Sequence, residues 1–392
     1  MKRTITALFT GLMLVAAAAQ EAQSAVSSWP MGGGNVYQTY STTVVGPDVP
    51  VFKWKATGLA IGGEPSIGED GTIYLPSSGV NGSLSAVSPQ GIKLWQIDDP
   101  LAVTPAIGSD GRLYGVHHLF TTACFATTGE ILWEHYWGKS QICPMIASDG
   151  NVWTSCAKMS PSGEVVSPTY WSYSISEARN GGDTYHTFGN SGSGTLKAQY
   201  LTTTPQGVTV WNTRWSTGLL YHYTSAKVAP DGDVIISDAL SSDGESARIR
   251  AFYPDDGTLH WSIGGFDSVP RVAIAEDGTI YASVSDELFA LNADGTTRWT
   301  REIPSGNLSV DGAGTVYLNS TGKVLAFSPD GDLKWTISLQ GTDSPVYAPV
   351  LGNDGTLYIT ASGGKLYAYS PEPATLSLLA LGGLLLLRRR KT

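Results

Sequence analysis

The sequence predicts an all-β chain folded as an eight-bladed β-propeller, with seven blades as the alternative, closed by a strand from the N-terminal side. Three observations carry this. First, six segments end in a tryptophan four residues after a glycine: Gly91–Trp95, Gly129–Trp133, Gly207–Trp211, Gly257–Trp261, Gly295–Trp299 and Gly331–Trp335. Second, most copies are preceded by two apolar strands around an Asp-Gly turn, as in "PSIGEDGTIYL", "PAIGSDGRLYG" and "VAIAEDGTIYA". Glycine accepts the positive φ of a tight turn, so Asp-Gly between alternating apolar residues is a strong hairpin signal. Third, Gly 46, Pro 21, Trp 12 and Tyr 18, with 15% charged residues, suit turns and aromatic strands better than long helices.

Residues 1–25, "MKRTITALFTGLMLVAAAAQEAQSA", have the basic start, apolar run and small residues of a secretory signal peptide, with cleavage after Ala19 or Ala25. Residues 26–50 form a lead-in segment and 51–370 the propeller. Within it the units recur roughly every 40 residues and encode four short strands each, the period of propeller blades. The tryptophan-type positions Trp95, Trp133, Ser167, Trp211, Trp261, Trp299 and Trp335 mark seven blades, with Ser167 standing where tryptophan is expected. The last segment, "PVYAPVLGNDGTLYITASGGKLYAYS", supplies three strands of an eighth and lacks a closing one. "VFKWKAT", residues 51–57, carries Trp54 and completes that blade, which hides two sheet edges.

The recurring G-x-L-x-A-x-x-x-x-G-x-x-x-W pattern resembles the pyrroloquinoline-quinone-like (PQQ-like) repeat family, and "WPMGGGNVYQTYS" from Trp29 is similar to the lead-in such proteins carry. The resemblance implies the propeller but not the cofactor. Quinone dehydrogenases of that family hold their cofactor under a vicinal disulfide near calcium, whereas the three cysteines here are Cys124, Cys143 and Cys156, none adjacent. Their chains are also longer, so this is the least expected reading. No catalytic, cofactor-binding or metal residue is assigned: His117 and His118 are neighbours on a strand and point to opposite faces. His260 reads as a half-exposed strand residue, and the aspartates are explained by turns.

The rhythm breaks between Tyr170 and Tyr223. Trp171, Tyr173, Tyr185, His186, Trp215, Tyr221 and Tyr223 crowd this stretch among Gly, Asn and Ser. They read either as the core of longer, divergent strands or as a surface for sugar rings or a protein partner. Cys124 takes the place of a core alanine. Cys143 and Cys156 flank the Asp149-Gly150 turn; pairing Ser148 with Asn151 would set them directly opposite, within reach of a disulfide.

Residues 371–392 begin with Pro371-Glu372-Pro373, continue with an apolar run and end in "RRRKT". They resemble the PEP-CTERM sorting signal, which implies an exosortase-type sorting enzyme as partner. The run from Pro373 to Leu387 reaches only about 22 Å as a helix, short of the ~20 apolar residues of a stable span. That length suits transient inner-membrane insertion before release to the cell surface or the extracellular space; an ordinary C-terminal anchor is the alternative. Lys+Arg 24 against Asp+Glu 34 argues against nucleic acid. The sequence therefore predicts an exported, non-enzymatic propeller with a binding or structural role toward an extracellular partner, a protein or, as the PEP-CTERM resemblance implies, a polysaccharide. A secreted enzyme acting on polysaccharide or a small molecule is the alternative.

Overall fold

The computed structural model describes residues 27–372, apart from short segments at 78–81, 99–102, 118–119, 138–142, 169–173, 180–182, 191–192, 204–208, 220–223 and 240–245. The expected signal peptide of residues 1–25, Pro373 and the rest of the tail lie outside the described residues, as do Trp171, Tyr173, Tyr221 and Tyr223.

Eight antiparallel four-stranded sheets form the ring, so the eight-blade count holds. Blade 1 runs from Ser66–Ile67 to Lys93–Ile97, blade 2 from Ala106–Ile107 to Ile131–Tyr136, blade 3 from Met145–Ile146 to Val165–Pro168 and blade 4 from Ser174–Glu177 to Thr209–Leu219. Blade 5 runs from Lys227–Val228 to Leu259–Phe266, blade 6 from Arg271–Ile274 to Thr297–Glu302 and blade 7 from Leu308–Val310 to Leu333–Ser338. Blade 8 takes three strands from Val350 to Ser370, and its outer strand is Val51–Ala56, paired through Trp54↔Ala368. The chain is thus closed by its own N-terminal strand, as expected.

The core lies between blades. Ile235, Ile249 and Ala251 of blade 5, for example, pack on Val272, Ile274 and Phe289 of blade 6. The repeat tryptophan is the rivet. Its ring stacks on an aromatic of the second strand of its own blade, as in Tyr74–Trp95, Tyr281–Trp299 and Tyr358–Trp54, with centroids 5.9–6.0 Å apart. Its indole N–H crosses to the next blade: Trp54 donates to Pro89 O, Trp95 to Thr127 O, Trp261 to Ala293 O and Trp299 to Pro329 O, at 2.7–2.9 Å. The repeat glycine is where that ring lands. Gly295 has φ +80°, and a Cβ there would stand 2.5 Å from Trp261. Backbone handedness and space both require glycine.

The Asp-Gly turns hold one residue more than a two-residue hairpin. Gly71 N–H donates to Gly68 O while Gly68 N–H reaches Thr72 O, a type I turn whose fourth residue is left-handed (Gly71 φ +79°). The aspartate closes it from the side: Asp70 Oδ1 accepts the Thr72 N–H, and Asp110, Asp231, Asp277 and Asp354 repeat the bond. These aspartates are turn devices.

The lead-in forms a belt around the axis, bonded to the inner strands in blade order. Ser28 Oγ donates to Leu351 O of blade 8; Trp29 O then accepts from Ile67 of blade 1 and Pro30 O from Ile107 of blade 2. Met31 packs on Met145 and Ala147 of blade 3. Val36 O, Tyr37 O, Thr39 O and Tyr40 O accept from Glu177, Val228, Ile274 and Val310 of blades 4, 5, 6 and 7. Gly33 and Gly34 bend the belt at positive φ, which explains the glycine triplet in "WPMGGGNVYQTYS". Gln38 and Tyr40 also adopt left-handed backbone (φ +57° and +54°), which strains a non-glycine residue.

Candidate functional site

Of the aromatic stretch, Tyr185, His186 and Trp215 lie among the described residues, and these three do not form a surface patch. Tyr185 and His186 are fully buried and Trp215 is 8% exposed, so all three are interior side chains. Trp215 is the repeat tryptophan of blade 4: it pairs with Ala198, stacks on Tyr185 at 5.8 Å, donates to Pro254 O of blade 5 and lies over Gly257. Trp211, which the glycine spacing marked for that role, lies four residues earlier on the same eleven-residue strand and points the other way, toward blade 3.

Cys143 and Cys156 are not bridged. Gly150 N–H bonds to Ala147 O and Ala147 N–H to Asn151 O, so the strands pair as Met145↔Trp153 and Ile146↔Val152. That is one residue out of the register that would set the two cysteines opposite. The extra turn residue is the physical reason.

Two places on the described surface combine space with chemistry. One is a cleft of about 140 Å³ between blades 3 and 4. Blade 3 has buried Ser167 at the tryptophan position, paired with Lys158. The ring expected there comes from blade 4 instead: Trp211 stacks on Trp153 at 5.3 Å and donates to Pro168 O at 2.6 Å. Trp211 and Tyr200 are half-exposed and line the cleft, while Asp149, Lys158, Glu177 and Asp183 supply its charge. Each charge is held in place. Lys158 Nζ bonds Asp149 at 2.6 Å, Arg214 forks onto Asp183 at 2.9 and 3.2 Å, and Glu177 accepts from Ser148 N–H and the Trp153 indole. Behind the wall, His186 contacts both tryptophans; burial pushes its pKa down to about 3, and its Nδ1 has no hydrogen-bond partner among the described residues.

The other is an axial pocket of about 270 Å³ beneath the belt, lined by Tyr40, Glu64, Lys227, Arg271 and Asn307 among others. Lys227 sits on the inner strand of blade 5, its Nζ donating to Gln38 O at 3.2 Å and standing 4.6 Å over the Tyr40 ring. Glu64 accepts the Gly33 N–H at 3.5 Å. Glu64 is half-buried, and its desolvation raises its pKa to about 7 although Gly33 and Lys227 hold it back. Burial lowers Lys227 to about 8 against the pull of Glu64. Glu64 in turn, with burial, raises the Tyr40 hydroxyl well above its ordinary value. Such a pair can exchange a proton near neutrality and hold a small polar molecule. Neither Glu64 nor Lys227 stands in a recognisable motif; the strained belt residues above them are the only local sign.

No group of three or more His, Cys, Asp or Glu gathers as a metal site among the described residues, and no helix among them is long and apolar enough to cross a membrane. Residues 245–375 match the family model described as outer membrane protein assembly factor BamB, which spans blades 5–8. No curated protein matches the chain. Among solved structures the chain is similar to BamB from Moraxella catarrhalis, at 13% identity and TM-score 0.56, covering 82% of this chain and 100% of that one. It is similar to the Dos1 propeller at 10% identity and TM-score 0.65, with 83% and 96% covered. Quinohemoprotein alcohol dehydrogenase from Comamonas testosteroni follows at 12% identity and TM-score 0.61, with 91% and 83% covered. At these identities the likeness is one of fold.

Proposed function

We propose that this chain is an exported, non-enzymatic β-propeller that binds extracellular polysaccharide at the cell surface or in the surrounding matrix. The cleft between blades 3 and 4 carries this reading. A sugar ring offers apolar C–H faces and a rim of hydroxyls. Half-exposed Trp211 and Tyr200 offer flat apolar faces, and fixed Asp149, Lys158 and Asp183 offer hydrogen-bond partners around them. The signal-peptide pattern of residues 1–25 and the Pro371-Glu372-Pro373 tail support export, sorting by an exosortase-type enzyme and a transient stay in the inner membrane.

The quinone of the dehydrogenases does not fit the axis. Among the described residues a single carboxylate, Glu64, lines the axial pocket, and no two cysteines are adjacent in the chain. The Glu64–Lys227 pair does favour a second reading, a small-molecule or enzymatic site on the axis.

The test is calorimetric titration of exopolysaccharide from the producing culture into the purified protein. Saturable binding is expected, weakened about ten-fold by Trp211→Ala and left in place by Glu64→Gln; ten-fold corresponds to about 1.4 kcal/mol. Loss with Glu64→Gln alone moves the ligand to the axis. Intact mass of the surface protein tests the sorting: retention of Ala374–Thr392 in the wild type would remove that part of the reading.

A further inference from the structure

The residue just before the repeat tryptophan divides the ring in two. In blades 4–8 it is basic: Arg214, His260, Arg298, Lys334 and Lys53. Each of these finds an acid nearby. Arg214 meets Asp183 at 2.9 Å, His260 meets Asp233 at 2.6 Å, and Lys53 meets Asp354 at 3.4 Å, all three acids lying in the turn between the first two strands of the same blade. Lys334 reaches Asp48 at 2.5 Å and Arg298 reaches Asp330 at 3.5 Å. In blades 1–3 the position holds Leu94, Leu132 and Val166, which are 53%, 44% and 43% exposed. The turn acids remain there as Asp70, Asp110 and Asp149; no outer-strand cation reaches them, although Arg112 beside the same turn meets Asp110 at 3.4 Å and Lys158 of the third strand meets Asp149 at 2.6 Å.

Three consecutive blades therefore show an exposed aliphatic side chain at the position where the other five carry a paired cation. Exposed hydrophobics also stand two residues before the tryptophan in blades 5, 7 and 8, at Leu259, Leu333 and Phe52. Only in blades 1–3, however, is the cation beside that position replaced by an aliphatic, which leaves this sector of edge strands without that charge. The same sector holds a groove of about 440 Å³, bounded by the strand 1–2 turns of blades 1–3 and by the belt. Met31, Val36 and Ile146 give it apolar walls, and Glu69 and Asp70 stand among its lining residues. The basic side chains of blades 4, 5 and 8 reach these turns, so the position before the tryptophan and the groove belong to one side of the ring.

We propose that the turn side of blades 1–3 docks a protein segment that alternates apolar side chains with Lys or Arg. Its apolar residues cover the groove and the aliphatic row. Its cations meet Glu69 and Asp70 in the lining of the groove. The surface meets the saccharide cleft at the Asp149 turn of blade 3, but the proposal does not rest on the saccharide reading.

The test uses two fluorescein-labelled twelve-residue peptides, one alternating Leu and Lys and one alternating Leu and Glu, titrated against the exported protein by fluorescence polarisation. The wild type should bind the Leu–Lys peptide at least ten-fold tighter than the Leu–Glu peptide, with the preference shrinking as salt screens the charges. The triple variant L94K/L132K/V166K installs the cations of the other blades and should lose that binding at least ten-fold while melting close to wild type. Should the triple variant fail to fold, Asp70→Asn with Glu69→Gln should still weaken the Leu–Lys peptide selectively. Equal affinity for both peptides, or undiminished binding by these variants, overturns the proposal. Sedimentation showing a wild-type dimer that the triple variant abolishes, with no peptide preference, would make a second copy the occupant and overturn it as well. So would binding seen only after removal of residues 1–25 from the precursor, since the leader would then be the occupant.

Discussion

Blades 5–8 and the junction of blades 3 and 4 solve one packing problem in opposite directions. In blades 5 and 6 each repeat tryptophan crosses forward, Trp261 and Trp299 donating to carbonyls of the following blade. At the 3–4 junction the forward ring is missing, Ser167 is buried in its place, and Trp211 crosses backward to stack on Trp153. A ring of blades needs every seam filled, but not from a particular side. Where the filling comes from behind, on a longer strand, it leaves a cleft with aromatic walls. The irregular seam is therefore one place where binding chemistry could be added without opening the ring.

The largest effect should separate the two tryptophans of blade 4. Trp215 is buried between blades 4 and 5, over Gly257 and against Tyr185. Trp215→Ala should destabilise by about 3–5 kcal/mol in urea unfolding, the cost of emptying a buried aromatic site. Trp211 is half-exposed, so Trp211→Ala should cost about 1–2 kcal/mol, since less area leaves contact. The reverse order would mean that Trp211 is the structural rivet, and the contrast between the seams would fail.

The next effect runs against the repeat pattern. Ser167→Trp restores the expected residue, yet the space beside Trp153 is already shared by Trp211 and by Lys158, whose Nζ lies 4.8 Å over the ring. Overpacking should lower stability by about 1–3 kcal/mol. A rise in Tm would show that the seam is underfilled. Combining Ser167→Trp with Trp211→Ala should recover part of the loss, because one ring then replaces the other.

Much of the ring was legible because its restraints are periodic. Trp54 closing blade 8 follows from one missing tryptophan strand at one end and one spare at the other. Ser370-Pro371 continues the repeat in space as well: Pro371 packs against Gly355 as Pro329 packs against Gly314. The register at Cys143 and Cys156 was not legible, because an Asp-Gly pair fits both a two-residue turn and the longer type I turn found here. Spacing from Gly207 favoured Trp211 over Trp215; the small residue opposite, Ala198, was the signal that could have chosen correctly. The belt bonds through backbone carbonyls, which carry no side-chain signature, so Glu64 and Lys227 beneath it had nothing to announce them.

The regular half can also be tested where it closes. Asp343, nearly buried, accepts from Lys55 at 3.1 Å, from Lys365 and from the Tyr367 hydroxyl, tying the N-terminal strand of blade 8 to its neighbour. The Lys365 and Tyr367 bonds hold its carboxyl well below the usual carboxylate range. A depressed folded pKa contributes stability above the unfolded value of about 3.9, and that contribution is lost as pH falls below it. Asp343→Asn should therefore lower Tm modestly at pH 7, with the gap from wild type closing progressively below about pH 4. Hydrogen exchange should place the loosening at Val51–Ala56 and leave the 3–4 seam unchanged. A gap that stays constant down to pH 2, or loosening at blades 3 and 4 instead, would show that the closing strand is held by packing alone and that the two halves do not differ in this respect.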